Sequence, residues 1–118
     1  MIKLEGLRKY CRSKQGVTED FPFDLSILTF KVCGKIFALT DITSEELRIN
    51  LKCIPEHALH LRTLYPQITP GYHMNKKHWN TVRIDGEIPD KEIFLMIDQS
   101  YELVIAGVKK TLRDSLTK

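Results

Sequence analysis

The sequence predicts a two-layer α+β domain in which helices cover one face of an antiparallel five-stranded sheet, in the order α-βββ-α-ββ-α. Three observations predict this class. Strand-type segments occur in one run of three and one of two, segments with helical periodicity flank both runs, and no β-α-β alternation is present. A length of 118 residues, with 42% hydrophobic and 28% charged residues, is typical of one globular domain. We therefore expect residues 1–118 to form a single domain.

The three helices are predicted from apolar residues that recur every three or four positions. The first is expected over about residues 2–14, with Gly16 as its natural stop. The second is expected to begin at Pro55, which suits a first helical turn, and to end at Tyr65-Pro66. The third begins near Pro89 and carries the longest apolar stripe of the chain, which we assign to the core: Ile93, Met96, Ile97, Tyr101, Val104, Ile105 and Val108.

The five strands are predicted from apolar and β-branched residues between turn signals. They are expected at residues 28–32, 36–40, 47–52, 71–74 and 79–84. The first two flank Cys33-Gly34-Lys35 and are expected to form a hairpin. Residues 18–23 are expected to be an extended connection, because Pro22 biases the residue before it away from helix.

Alternation along these strands predicts which side chains face away from the helices. In the third strand Arg48 and Lys52 alternate with apolar residues, and Lys31 in the first strand does the same. Trp79 and Arg83 are expected on the same open face in the last strand. Cations contact phosphates and an aromatic ring can stack on a base, so this face is a candidate nucleic-acid surface.

The distribution of charge points to the same region. The net charge is only +3, but residues 57–84 contain no Asp or Glu, although the chain has 15 acids. This window holds all four histidines, and its segment 72–81 combines imidazole, ammonium, amide and aromatic groups that suit an anion. The candidate nucleic-acid or anion contacts are Lys31, Arg48, Lys52, His73, Asn75, Lys76, Lys77, His78, Trp79, Asn80 and Arg83.

Structural alternatives compete with this interpretation. Polar residues of an open sheet face are often only solvated, and Phe21-Pro22-Phe23 can fold over Trp79 and bury it. Zinc at His73 and His78 lacks a third nearby ligand, so we expect no metal and no cofactor. The chain contains no nucleophile-elbow, Walker or dinucleotide-binding motif, so we expect no enzymatic activity.

Cysteine usage and hydropathy set the expected compartment. Cys11, Cys33 and Cys53 are odd in number and widely spaced, so we expect free, partly buried thiols rather than a disulfide framework or zinc site. No apolar run approaches the roughly 18 residues of a membrane span, and the N-terminus lacks the apolar stretch of a signal peptide. We therefore expect a cytoplasmic protein without a membrane partner.

Several motifs resemble the MmcQ/YjbR-like family and together extend over nearly the whole chain. They are Phe21-Pro22-Phe23, the hairpin from Thr29 to Leu39, Asn50-Leu51-Lys52-Cys53, Tyr65-Pro66, the segment from Pro70 to Val82, and Asp98-Gln99-Ser100-Tyr101. The chain departs from the family pattern at two positions. Cys33 stands where Gly is frequent in the hairpin turn, and Ile54 stands where Asp frequently precedes the Pro of the second helix.

The resemblance implies a fold similar to secretion-chaperone domains, in agreement with the predicted element order. It also implies the family's common description as DNA-binding, which is based on similarity to a double-wing DNA-binding fold. Our first hypothesis is therefore a small DNA-binding or nucleic-acid-associated protein. The alternatives are an adaptor that holds a protein or peptide partner on the sheet face or an edge strand, and a sensor of a small anion or nucleotide at residues 72–81.

Overall fold

A computed structural model of the chain describes residues 1–72 and 74–108. The helices are α1 (Leu4–Arg12), α2 (Pro55–Leu64) and α3 (Asp90–Ala106). The strands are β1 (Val17–Asp20), β2 (Ile27–Val32), β3 (Lys35–Asp41), β4 (Arg48–Lys52), β5 (Ile68–Pro70) and β6 (Trp79–Arg83). They form one sheet in the order β1-β2-β3-β4-β6-β5, and every neighbouring pair is antiparallel.

The predicted fold class is confirmed, but the strand prediction is wrong in two places. The sheet has six strands instead of five, because Val17–Asp20 pairs with β2 and the connection predicted at residues 18–23 only begins after it. The strand predicted at residues 71–74 lies earlier, at Ile68–Pro70. At Gly71 the chain turns away from the sheet, since Met74 N–H donates back to Gly71 O at 3.3 Å.

The core lies between the helices and one face of the sheet. Cross-strand partners share a face, so the registers Phe30 with Ala38 and Ala38 with Leu51 place these three side chains together. Ile49 and Val82 continue the same face toward β6. Buried residues of all three helices complete the cluster: Leu7, Cys11, Ala58, Leu61, Ile93, Met96, Ile97, Tyr101 and Val104. The apolar stripe predicted for α3 therefore is core.

A two-residue turn joins β2 and β3. Cys33 has φ 52° and Gly34 has φ 75°, which are the left-handed values that a type I′ hairpin turn requires at both central positions. A side chain at Cys33 costs conformational energy there, because only Gly adopts this region without a Cβ clash. Cys33, which replaces the glycine frequent in the family, is therefore accommodated in a strained backbone conformation.

Tyr10 and Lys14 connect α1 and the residues after it to α3, in addition to the core contacts of Leu7 and Cys11. Tyr10 Oη donates to Asp98 Oδ1 at 2.6 Å, and Lys14 Nζ lies 2.5 Å from the same oxygen. The Tyr10 ring also stacks on Phe94, with ring centroids 4.1 Å apart. Burial, followed by the hydrogen bond to Asp98, raises the pKa of Tyr10 to about 12, so its hydroxyl keeps the proton that it donates.

None of the helices within residues 1–72 and 74–108 is both long enough and apolar enough to cross a membrane.

Candidate functional site

The face of the sheet opposite the helices carries a row of side chains that crosses four strands. Leu39 of β3 is paired with Asn50 of β4, Asn50 with Thr81 of β6, and Thr81 with Thr69 of β5. The first three are almost completely covered, with 9%, 9% and 6% of their surfaces exposed. This part of the open face is therefore not a plain solvated surface.

The covered row is the floor of a groove with a volume of about 590 Å³. Phe23 lines it from the loop between β1 and β2, and Tyr72 and Met74 line it from the loop between β5 and β6. In the sheet order, β1 and β2 lie on one side of β3 and β4, and β6 and β5 lie on the other side. The two loops therefore form opposite walls of the groove. The volume falls within the range of about 300–1,000 Å³ that is usual for ligand sites.

The polar groups of the floor are satisfied by one another. Thr81 Oγ1 donates to Asn50 Oδ1 at 2.7 Å and accepts Tyr72 N–H at 3.0 Å. Asn50 Nδ2 donates to Tyr72 O at 3.2 Å. Because buried polar groups are costly when unpaired, this closed network fixes both the floor and the backbone of the Tyr72 wall.

Gly71 and Arg62 hold the wall that contains Tyr72 against β6. Gly71 N–H donates to Trp79 O at 2.8 Å, and a Cβ at Gly71 would lie only 2.6 Å from Trp79 Cβ. Arg62 of α2 donates through Nε to Asn80 Oδ1 at 2.7 Å and through Nη2 to the carbonyls of Lys76 and Trp79. The chain can follow this path only because residue 71 lacks a side chain.

Asp24 organises the opposite wall. Its Oδ1 accepts Ser26 N–H at 2.8 Å, Ser26 Oγ–H at 2.7 Å and Ile27 N–H at 3.1 Å. The side-chain hydrogen bond from Ser26 lowers the pKa of Asp24, with the backbone N–H of Ser26 acting in the same direction. The residue is therefore a carboxylate at neutral pH, in the wall beside Phe23.

Apolar side chains are exposed in the two loops that form the walls and in the loop between β3 and β4, whose Ser44 also lines the groove. Half of the large hydrophobic residues exposed within the described part of the chain belong to these loops: Phe21, Phe23, Leu25, Ile42 and Tyr72. Phe23 is 67% exposed, Leu25 86% and Tyr72 68%. Exposed large apolar residues grouped in the loops around a groove are typical of an interaction surface in soluble domains.

Three of the predicted phosphate-binding cations have acidic partners. Lys31 Nζ lies 3.4 Å from Asp20 Oδ2. Arg48 Nη2 lies 2.7 Å from Glu46 Oε2, and Arg83 Nη2 lies 3.4 Å from Asp85 Oδ2. These acids lie on β1 or in the loops beside the strands, so the predicted cationic face of the sheet also carries acids.

The other predicted cations have no acid within salt-bridge distance in the described residues. Lys76, Lys77 and His78 are exposed in the turn before β6, whose form is fixed by Asn75 Oδ1 accepting Lys77 N–H at 2.9 Å. Lys76 Nζ donates to Gly71 O at 3.1 Å. Lys52 is half-buried on the open face, and the predicted contact His73 lies outside the described residues.

Trp79, which was expected to be available on the open face, and Asn80, which was predicted as a contact, are both buried. Trp79 is 9% exposed, because Gly71 lets the loop lie directly on its β-carbon. Asn80 is 2% exposed on the helix side of β6, where Arg62 and the carbonyl of Ala58 bind its side chain. Both residues support the loop of the Tyr72 wall and do not line the surface of the groove. Phe23, which the sequence offered as a possible cover of Trp79, lines the groove.

Sequence reasoning missed Leu39, Phe23 and Asp24 as groove residues. A signal for Leu39 was present, because the continuous apolar run from Ile36 to Leu39 supplies side chains to both faces of β3. The role of Arg62 could not be found from the sequence, since it depends on the path of a loop 14 or more residues away. Among the described residues, no group of three His, Cys, Asp or Glu side chains could hold a metal ion.

Comparisons with known proteins agree on one family. The YjbR family model matches residues 12–103. The chain is 33% identical over 104 residues to the uncharacterized protein YjbR of Escherichia coli K12, covering 88% of each chain. It is 44% identical over 94 residues to the uncharacterized protein YbdF of Escherichia coli O157:H7, covering 76% of this chain and 74% of that one.

Solved structures give the same result. The crystal structure of Deinococcus radiodurans protein DR2400, a DUF419 domain, has a TM-score of 0.93 and 42% identity, covering 99% of this chain and 89% of that one. A crystal structure of a Pseudomonas syringae protein has a TM-score of 0.76 and 30% identity, covering 86% of this chain and 98% of that one.

Proposed function

This chain belongs to the YjbR family, and from that premise we propose that it is a protein-interaction module that holds an extended apolar segment of a partner protein in the groove of its open sheet face. The observation that carries the proposal is the exposed apolar rim over a satisfied floor. Phe23 and Tyr72 present most of their surface to solvent, whereas Asn50 and Thr81 beneath them are bonded to each other. Such a site gains its affinity from apolar burial.

A protein partner fits the extent of this surface better than a small molecule does. A ligand that fills about 590 Å³ covers the floor and the two walls. It leaves Phe21, Leu25 and Ile42 exposed in the neighbouring loops. A partner segment that continues beyond the groove covers these residues as well, as apolar anchors in pockets do in protein interfaces.

The sheet edges fit the proposal less well than the sheet face. β5 has only three residues and ends at Pro70, which has no N–H to offer an added strand. β1 has two acids, Glu19 and Asp20, among its four residues. Prolines, charges and short length are the features by which edge strands resist pairing. The groove therefore is the better candidate for a bound segment.

The groove also supports binding rather than catalysis. Its described lining contains no histidine and no cysteine, and the Thr81 hydroxyl is engaged with Asn50 and Tyr72. Burial raises the pKa of Cys11 to about 12, which keeps that thiol protonated and unreactive. We propose a non-enzymatic role on these grounds.

A peptide titration tests the proposed function. A fluorescein-labelled decapeptide of alternating leucine and serine is expected to bind, whereas one of alternating glycine and serine is not. Phe23→Ala and Tyr72→Ala are each expected to weaken binding by at least about fivefold, the usual effect of truncating an interface aromatic. Leu59→Ala on α2, which is equally exposed at 60%, is the control and leaves binding unchanged. Equal binding of both peptides, or no binding, contradicts the proposal.

Nucleic-acid binding is a second candidate, favoured by the turn at residues 75–78. Lys76, Lys77 and His78 follow one another in this turn and are exposed. Arg62 fixes the backbone of this turn through Lys76 O and Trp79 O, so the cations are presented on an ordered segment. Against this stand the three ion pairs of Lys31, Arg48 and Arg83 and the burial of Trp79, which leave fewer contacts than the sequence predicts.

Salt dependence tests the second candidate. Labelled mixed-sequence duplex and single-stranded DNA are titrated at two salt concentrations, with Lys76→Ala/Lys77→Ala as the variant. Loss of two phosphate contacts on duplex DNA is expected to reduce the slope of log K against log salt by about 1.8. Lys9→Ala/Lys91→Ala removes the same charge from exposed positions on α1 and α3 and is the matched control. Binding that is absent at low salt, or equally weakened by both pairs, contradicts nucleic-acid recognition at this turn.

A further inference from the structure

We propose that the groove selects a segment that carries a lysine or arginine beside its apolar residues, an inference that rests on the proposed function. The groove is acidic, although the chain as a whole has a net charge of +3. Asp24 lies in one wall, and Asp41 lies at the end of β3. The occupant therefore is a basic, apolar peptide segment of a partner.

Both carboxylates keep an oxygen available for a ligand. Asp24 uses Oδ1 for its three hydrogen bonds to Ser26 and Ile27. Asp41 uses Oδ1 to accept Thr43 N–H at 2.9 Å and Thr43 Oγ1–H at 2.7 Å. Within residues 1–72 and 74–108, the Oδ2 atom of each makes no further hydrogen bond or ion pair. A guanidinium or ammonium group is the donor that such an oxygen binds most strongly.

The cation present in the groove does not cancel this charge. Arg48 lines the groove, but its guanidinium is paired with Glu46 at 2.7 Å. The pair is neutral as a unit, so the charges of Asp24 and Asp41 remain. An anionic segment would be repelled by both, which gives the groove a preference for one sign of charge.

The aromatic walls favour the same occupant. Phe23 and Tyr72 are 67% and 68% exposed as residues and line opposite walls of the groove. Aromatic faces attract arginine and lysine side chains and also pack against the methylene stems of those residues. A basic side chain lying along the floor contacts a ring with its stem and reaches a carboxylate with its charged end.

Three labelled decapeptides test the selectivity: alternating leucine and arginine, alternating leucine and glutamate, and the leucine–serine peptide used above. The arginine peptide is expected to bind about fivefold or more tightly than the serine peptide, and the glutamate peptide more weakly than either. The advantage of the arginine peptide is expected to decrease at high salt, because the two carboxylates are exposed.

Asp24→Asn and Asp41→Asn locate the effect. Each keeps the Oδ1 acceptor that its loop needs and removes only the charge. The double variant is expected to bind the arginine peptide about as weakly as it binds the serine peptide. Glu102→Gln, at an exposed position on α3, is the control that removes a remote charge.

The outcomes separate the two proposals. Equal affinity for the arginine and serine peptides overturns the charge preference and leaves the apolar groove in place. An arginine preference that survives the Asp24→Asn/Asp41→Asn variant places the selectivity elsewhere and overturns it as well. Failure of every peptide to bind overturns the proposed function together with this inference.

Discussion

Ser100 Oγ of α3 donates to Phe37 O of β3 at 2.5 Å and accepts Lys52 N–H of β4 at 2.8 Å. The ladder between β3 and β4 contains only the pairs Ala38 with Leu51 and Leu39 with Asn50. At Phe37 and Lys52, where the next pair would lie, a helix hydroxyl joins the two strands instead. The side chain of Ser100 has no exposed surface, so this bridge is a buried part of the fold.

Ser100→Ala is expected to lower the free energy of unfolding by about 1–3 kcal/mol, because it leaves a buried carbonyl and a partly buried N–H without partners. Urea denaturation followed by circular dichroism measures the change. Ser13→Ala is the matched control: its hydroxyl donates to Tyr10 O at the exposed end of α1, and its loss costs much less. Similar losses of unfolding free energy in both variants would show that the buried Ser100 bridge contributes no more to stability than the exposed Ser13 hydrogen bond does.

Ile54→Asp is expected to raise the free energy of unfolding by about 1 kcal/mol. Ile54 is the N-cap of α2 and supplies no side-chain hydrogen bond, and it is already 50% exposed. A carboxylate at this position accepts a free N–H of the first turn and interacts favourably with the helix dipole. Ile54→Ala is the control, because it removes the isoleucine side chain without adding a capping group. An aspartate variant no more stable than the alanine variant would exclude capping here.

Glu19→Gln is expected to reduce stability at neutral pH by about 1 kcal/mol, and the reduction is expected to disappear in acid. The hydrogen bond from Arg8, 2.7 Å away, lowers the pKa of Glu19 from its ordinary value of 4.5. A carboxyl group whose pKa is lowered by folding stabilises the folded state when the pH is above the pKa of the group in the unfolded chain. This stabilisation is lost as the pH falls through the pKa of the group in the folded protein.

Thermal unfolding of the wild type and Glu19→Gln from pH 7 down to pH 3 measures this gap. Glu5→Gln is the control, because Glu5 also contacts Arg8 but its side chain is 82% exposed. A gap between wild type and Glu19→Gln that stays constant across this range would contradict the assignment.

Gly71→Ala is expected to cost about 1–3 kcal/mol, since the new Cβ would lie 2.6 Å from Trp79 Cβ and 3.0 Å from Trp79 O. It is also expected to weaken binding of the leucine–serine peptide, because Tyr72 follows directly in the chain. Gly6→Ala in α1 is the control, where the nearest atom is 3.8 Å away and alanine favours the helix. Unfolding and peptide titrations on both variants give the comparison. Normal stability of Gly71→Ala would contradict the close packing.

The fold class and the three helices could be predicted because their periodic patterns are local. β1 could not, since four residues with two acids resemble a loop until β2 supplies a partner for them. β5 was predicted too late in the chain, at residues 71–74. Tyr72 is a typical strand residue, but its N–H donates to a side chain, Thr81 Oγ1, and not to the backbone of a neighbouring strand. Strand assignment in short segments depends on pairing, which a single sequence does not display.

The sequence points to the open face on which the groove lies, but it does not predict the groove. Tyr72, Met74 and Thr81 of the predicted segment do line the groove on the open face. Three of the predicted cations, however, are paired with acids that lie outside the acid-free window, such as Asp20 beside Lys31. The floor depends on Asn50 and Thr81, which are 31 residues apart and have no common motif. Long-range pairs of this kind decide whether an open sheet face is charged or forms a groove.

The packing of Trp79 against Gly71 gives the protein a built-in optical reporter. Trp79 is the only tryptophan in the chain, so its intrinsic fluorescence comes from one position. That position is buried under the loop that carries the Tyr72 wall of the groove. Emission from this indole therefore responds both to unfolding and to movement of the wall, and an unlabelled segment entering the groove can be followed without altering a residue.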